Sequence, residues 1–211
     1  MEGSPKKTKN SEIFAHLCIE SDGDSMINFG IVFSNRKGEE LDNICIDILP
    51  LVGRTPEKSK MEWWMSDPER KKEYERIMEN GLNFVDAMTK FNSELERIQK
   101  EFNPEKIEWI VHPAFDWRFF KDYHEIYLKL NPTAMEIAFK YNCLYSIIDD
   151  WKLFYKDDEN KYYNAKMTGV FFKQQWTNLV RTHNALDDAR YQAPIYHGIL
   201  RDMLEFTIKN L

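Results

Sequence analysis

Two apolar runs separated by a turn too short to hold a helix open this chain, and they constrain its fold more than any other feature. The first, Ile13-Phe14-Ala15-His16-Leu17-Cys18-Ile19, is rich in β-type residues and gives way to the turn signal Ser21-Asp22-Gly23-Asp24. The second spans Ile27 to Phe33, and a third follows from Ile44 to Leu51. Strands joined this tightly pair antiparallel. Beyond them the period changes. Ser66-Asp67-Pro68-Glu69 marks a helix start with a capping residue, a first-turn proline and an acidic residue. Phe84, Met88, Phe91, Leu95, Ile98 and Phe102 recur every three to four residues, the signature of a long amphipathic helix that ends near Asn103-Pro104.

Ile107 to Val111 reads as a buried strand, Phe119 to Leu130 as a helix and Leu144 to Ile148 as a further strand, with Asp149-Asp150-Trp151 opening a helix. The last helix starts near Ala185 and meets Pro194, which should kink or restart it. Strands followed by strand–helix alternation predict an α/β layer built on a mixed sheet. At 211 residues and 25.3 kDa the chain suits one domain with a substantial core. Residues 1–11 read as a flexible tail and 12–211 as the domain.

Composition excludes several classes. Hydrophobic residues at 43% and aromatics at 14% argue against disorder. The polar, lysine-bearing start lacks the apolar stretch of a secretory signal, and no run approaches the roughly 18–20 apolar residues of a membrane span. Three scattered cysteines, Cys18, Cys45 and Cys143, without a CxxC pair, point to a reducing, cytoplasmic setting and no structural zinc. A net charge of −6 speaks against coating long nucleic acid by charge alone. It is compatible with a nuclease, whose carboxylates are offset by bound cations.

The candidate chemistry lies in three places. Glu20 and Asp116 each fall at or just beyond the C-terminal end of an expected strand, the edge where open α/β sheets bind ligands. Asp187 and Asp188 fall in the first turn of a helix, so either could face the same crevice. His183 precedes them, and an imidazole's ordinary pKa near 6.5 suits activation of water. Carboxylate oxygens of this kind suit magnesium or manganese. Each feature alone has a plainer reading: a turn former, favourable first-turn charge or a packed histidine.

In combination and in order, they resemble the DEDDh group of 3′–5′ exonucleases, within the ribonuclease T superfamily, whose sheet is RNase H-like. The group's Asp-x-Glu strand is read at Leu17-Cys18-Ile19-Glu20, followed by Phe29-Gly30-Ile31-Val32. Its second motif is matched by Val111-His112-Pro113-Ala114-Phe115-Asp116, and its third by His183-Asn184-Ala185-Leu186-Asp187-Asp188-Ala189, which selects Asp188 over Asp187. Met61-Glu62-Trp63-Trp64 looks like the Trp-Trp segment of the phage DNA exonuclease A and RNase AS-like branch. The resemblance covers roughly residues 13–208. It implies that Glu20, Asp116 and Asp188 bind two divalent cations, Mg2+ or Mn2+, with Cys18 at the position of the group's aspartate. His183 would deprotonate the attacking water beside Glu20, and His112 would be supporting or structural. Trp63, Trp64 and Phe115 would flank the substrate, the 3′ end of single-stranded RNA or DNA. No membrane partner is implied, and a homodimer is left open.

Cys18 departs from the pattern. A thiol is a poor donor for a hard cation, and a shift of register by two residues would offer Glu20 and Asp22 as the pair instead. The expected activity is therefore a metal-dependent 3′–5′ exonuclease impaired at Cys18. The alternative is a catalytically degenerate protein of the same fold that binds nucleic acid or a protein partner.

Overall fold

The computed structural model describes residues 12–111, 113–137, 140–154 and 183–209. The expected tail at 1–11 and the supporting role for His112 lie outside them. Three strands come first: β1 (Glu12–Ser21), β2 (Met26–Ser34) and β3 (Glu40–Asp47). Then follow helices α1 (Lys58–Met65), α2 (Pro68–Asn80) and α3 (Phe84–Phe102). The chain continues through β4 (Lys106–Val111), α4 (Ala114–Leu130), β5 (Tyr141–Cys143), α5 (Leu144–Phe154) and α6 (Ala185–Lys209).

The strands form one sheet in the order β3-β2-β1-β4-β5. β1 pairs antiparallel with β2, and β2 with β3, as the short connections require. β4 pairs parallel with β1, and β5 with β4, so the sheet is mixed. This is the α/β, RNase H-like architecture that the motifs imply.

The period of two in β1 sorts its side chains onto two faces. Ile13, Ala15, Leu17 and Ile19 join Phe29, Ile31 and Phe33 of β2 in the main core, under Phe91, Leu95 and Ile98 of α3 and Trp117, Phe120 and Tyr123 of α4. On the other face Phe14 packs with Ile110, Trp151, Tyr196 and Ile199, and Cys18 packs with Val32, Ala185, Ala189 and Ala193. The even-numbered residues of β1, Cys18 among them, therefore face α6.

Local chemistry explains the helix boundaries. The Asp67 carboxylate accepts from the N–H groups of Glu69 and Arg70, with Pro68 at the first helical position of α2. Asn83 caps α3, and Asn103, left-handed at φ 43°, ends it just before Pro104.

Four expectations are corrected. The strand read at Leu144–Ile148 is the first part of α5, and β5 lies just before it. Leu144, Ile147, Ile148 and Trp151 share one cluster beneath α6, and a short apolar run does not by its periodicity distinguish a strand from a buried helix. β3 spans Glu40–Asp47 rather than Ile44–Leu51, because its ladder with β2 ends at Asn28↔Asp47 and Ile48 makes only a bridge to Leu82. α4 begins at Ala114 instead of Phe119, so Asp116 occupies a first helical turn. α6 runs on through Pro194, between buried Ala193 and partly buried Ile195, so packing outweighs the roughly 3 kcal/mol propensity cost of proline.

Candidate active site

Three chain segments bring carboxylates to the same end of the sheet. Glu20 sits near the end of β1, buried at 8% exposure. Asp116 lies in the first turn of α4 and accepts from the Ile19 backbone N–H through Oδ2 at 3.2 Å, which ties it to β1 across 97 residues of sequence. Asp188 is in the first turn of α6 and is 2% exposed. Asp187, its neighbour, instead turns partly outward and meets Arg190 at 3.8 Å. Burial therefore selects the same aspartate that the motif does.

The start of α6 is held against the sheet by polar side chains. The buried Asn28 amide oxygen accepts from the Ala185 N–H at 2.8 Å, while its nitrogen donates to Asp47 Oδ1 at 2.8 Å. Asn184 caps the helix, accepting from the Leu186 N–H at 3.1 Å and donating to Glu73 Oε1 at 2.9 Å. Arg76 joins Glu73 and Asp47 on the other side, closing a network from α2 through β3 to α6. Gly30 permits the approach. A Cβ there would stand 2.1 Å from the Leu186 nitrogen and 2.4 Å from the Ala185 carbonyl carbon.

Cys18 lies among the carboxylates. Burial, and then the negative charges of Asp116, Asp188 and Glu20, push its thiol well above the ordinary range, against a hydrogen bond with Gln192. The thiol is thus held protonated. Burial raises Asp116 itself to about 8, and the Asp188 charge adds to that. The Ile19 N–H, the Cys18 thiol and the Lys60 ammonium oppose the rise. Burial is the leading cause for both groups, and neighbouring negative charge adds to it.

His183 stands at the entrance to α6 in a left-handed conformation, φ 56°, half-buried. Its ring lies 5.0 Å from that of Trp63, nearly perpendicular to it. The two tryptophans differ in role. Trp64 is fully buried with Ile27 and Ile77, and its indole N–H donates to the Ser21 carbonyl at 3.0 Å, so it belongs to the core and does not flank a substrate. Trp63 is half-buried beside His183. Phe115, next to Asp116, is 53% exposed and packs edge-on against Phe119. Asp22, the partner in the shifted register, accepts from the N–H groups of Asp24 and Ser25 and closes the β1–β2 turn.

The donor set fits divalent cations in chemistry and charge. Carboxylate oxygens are hard donors, and a bound cation would offset the burial that raises Asp116 and the Asp188 charge that adds to it. Among the described residues no three His, Cys, Asp or Glu side chains form a group that could hold a metal ion. With Cys18 in place, the cluster is one carboxylate short of the motif.

Sequence reasoning missed Asn28, Asn184, Gln192 and Lys60. Asn28 carried a signal, a polar residue inside an apolar strand, and Asn184 sat at a cap position. Gln192 and Lys60 carried none, since their places depend on how α6 and α1 dock.

The chain matches the family described as the 3′–5′ exoribonuclease Rv2179c-like domain over residues 20–200, a span that begins just after Cys18. The 3′–5′ DNA exonuclease Cap18 of Escherichia coli is 28% identical over 128 residues, 59% of this chain. The match spans 60% of that relative's length. Among solved structures, the nuclease domain of 3′hExo, a DEDDh family member bound to rAMP, aligns with a TM-score of 0.56 at 16% identity, over 90% of this chain and 92% of that one. A 3′-exonuclease solved for 3′-end specific recognition of a histone mRNA stem-loop aligns at 0.53 and 15% identity, over 92% and 83%. These likenesses establish the DEDDh exonuclease fold.

Proposed function

Because this chain belongs to the 3′–5′ exoribonuclease Rv2179c-like domain family, we propose that it is a metal-dependent 3′–5′ exonuclease that releases nucleotides from the 3′ end of single-stranded RNA or DNA. One observation carries the reading for this chain: Glu20, Asp116 and Asp188, from β1, α4 and α6, are all buried, and Asp116 is tied to β1 beside Cys18 through the Ile19 N–H. Three free cysteines accord with work in the reducing cytoplasm.

In this reading Glu20, Asp116 and Asp188 hold divalent cations, Mg2+ or Mn2+. Bound there, such ions supply charge stabilisation to the phosphoryl oxygens of the scissile linkage. His183, at the entrance to α6, accepts the proton of the attacking water. Phe115 offers an exposed face for the terminal base, a contact worth about 1–3 kcal/mol per stacked base. Cys18, a neutral thiol, contributes neither charge nor a hard oxygen, so the activity is lower than an aspartate at that position would permit. A second reading draws on the same residue: the fold without catalysis, holding a nucleic-acid end or a protein partner.

Release of label from 3′-labelled single-stranded RNA and DNA oligonucleotides separates the two. The exonuclease reading expects nucleotide release with Mg2+ or Mn2+, none with EDTA, and a loss of at least about 100-fold in His183→Ala. Binding without release under both metals would favour the non-catalytic reading.

A further inference from the structure

Trp63 is the centre of a cluster outside the carboxylate site. Besides His183 it touches Trp64, ring centroids 5.0 Å apart. The Lys60 Nζ lies over the Trp63 ring at 4.8 Å, and the Arg70 guanidinium carbon lies over it at 4.4 Å. Lys60 reaches the ring from one turn away on α1, whereas Arg70 comes from the first turn of α2, set by the Asp67 cap. Two helices thus deliver one cation each to a single half-buried indole.

These contacts bear on what the tryptophan does. A nucleobase seeking a stacking partner meets cations over the ring, so Trp63 is not an open platform. Both cations keep donors available. Arg76 is spent on Asp47 at 2.6 Å, Arg97 on Asp42 at 2.7 Å and Arg190 on Glu40 at 3.1 Å. Lys60 and Arg70, in contrast, form no ion pair with the described residues. Arg70 gives an N–H to Ser66 Oγ at 2.9 Å, which leaves other donors of its fork for an anion. An indole face holds a cation through its ring quadrupole and leaves the hydrogen-bond donors unused.

Their position adjoins the site. The Lys60 charge acts on Asp116, and Trp63 contacts His183. A polyanionic strand approaching three carboxylates on a chain of net charge −6 meets repulsion. Cations with unspent donors at the rim are what such a strand needs to bind.

We propose that Lys60 and Arg70, held on the Trp63 ring, form a subsite for a backbone phosphate next to the linkage being cleaved. The strand is gripped there by charge instead of base stacking, without regard to sequence. The proposal rests on the exonuclease reading of the neighbouring carboxylates.

The test is anisotropy of a labelled single-stranded oligonucleotide with a 3′-terminal phosphorothioate linkage, titrated from about 50 to 200 mM KCl. Lys60→Ala and Arg70→Ala should each weaken binding several-fold and lower the slope of log K against log salt by about 0.7, the contribution of one phosphate contact on a single strand. Lys60→Arg should restore the slope. Lys100→Ala, which changes net charge equally on the exposed surface of α3, should leave it unaltered. Circular dichroism checks that each variant is folded. Unchanged slopes in both alanine variants, with nucleotide release by the wild type intact, would overturn the subsite and spare the exonuclease reading. A wild type that neither binds nor cleaves the oligonucleotide would overturn both.

Discussion

Gly30→Ala asks the most of the active-site geometry for the smallest change in chemistry. The added methyl carbon would lie 2.1 Å from the Leu186 nitrogen, 2.3 Å from its Cα and 2.4 Å from the Ala185 carbonyl carbon. All three are backbone atoms, so no flexible side-chain end can swing aside. Ordinary contact starts at 3.4 Å, and α6 must therefore withdraw from β2 by about 1.3 Å. That withdrawal strains the Asn28–Ala185 hydrogen bond and loosens Ala185 and Ala189 from Val32 and Cys18. Overpacking costs about 1–3 kcal/mol, and a buried amide left without its partner about 1–3 kcal/mol more. A loss near 3 kcal/mol corresponds to a fall in Tm of about 6–12 °C for a domain of this size. Asp188 and His183 move with the helix, so nucleotide release should fall about 100-fold for a displacement near 1 Å, even below the melting point. Thermal unfolding by circular dichroism and release from a 3′-labelled oligonucleotide at a temperature where the variant is folded give both numbers. A Gly30→Ala protein with wild-type Tm and wild-type turnover would refute the close approach of α6 to β2.

Cys18→Asp should tighten Mg2+ binding and raise 3′–5′ release, because it adds an anionic oxygen among Glu20, Asp116 and Asp188; isothermal titration and the oligonucleotide assay read the two effects. In metal-free buffer the same substitution should lower Tm through like-charge repulsion. His183→Ala in that background should abolish the gained turnover while leaving Mg2+ affinity nearly intact. Trp64→Ala should destabilise by about 3–5 kcal/mol in urea unfolding, since it empties a fully buried site and orphans the Ser21 carbonyl. The buried His16–Ser34–His197 cluster makes stability pH-dependent. Burial, then the Arg201 charge, lowers His197 to about 4, and burial lowers His16 as well, with the His197 charge adding to it. Both rings are neutral in the fold, so their contribution is complete above about pH 6.5. It is lost as pH falls from there toward 4, by up to about 3 kcal/mol for His197. The difference between wild-type and His197→Gln stability profiles isolates it from Asp116, whose raised pKa acts in the opposite direction. Parallel profiles would contradict the assignment.

What the sequence alone determined here is what local physics determines. Period-2 and period-3.6 patterns located β1, β2, α3 and β4, because side-chain alternation on strands and the amphipathic stripe on helices do not depend on the partner. Asp67-Pro68 and Asn103-Pro104 marked helix ends through their own hydrogen bonds and dihedrals. The order of Glu20, Asp116, His183 and Asp188 was legible as a motif, as was the anomaly at Cys18. Long-range packing decided the rest. Leu144–Ile148 became helix because α6 covers it, and Pro194 stayed within a helix because both its neighbours are bound up in packing. Trp63 and Trp64 are adjacent and alike in sequence. The docking of α1 buries one beneath the β1–β2 turn and leaves the other beside His183 under two cations. The ionisation of Cys18 and Asp116 also lay beyond the sequence, since burial and neighbouring charge, which set it, exist only once β1, α4 and α6 have met.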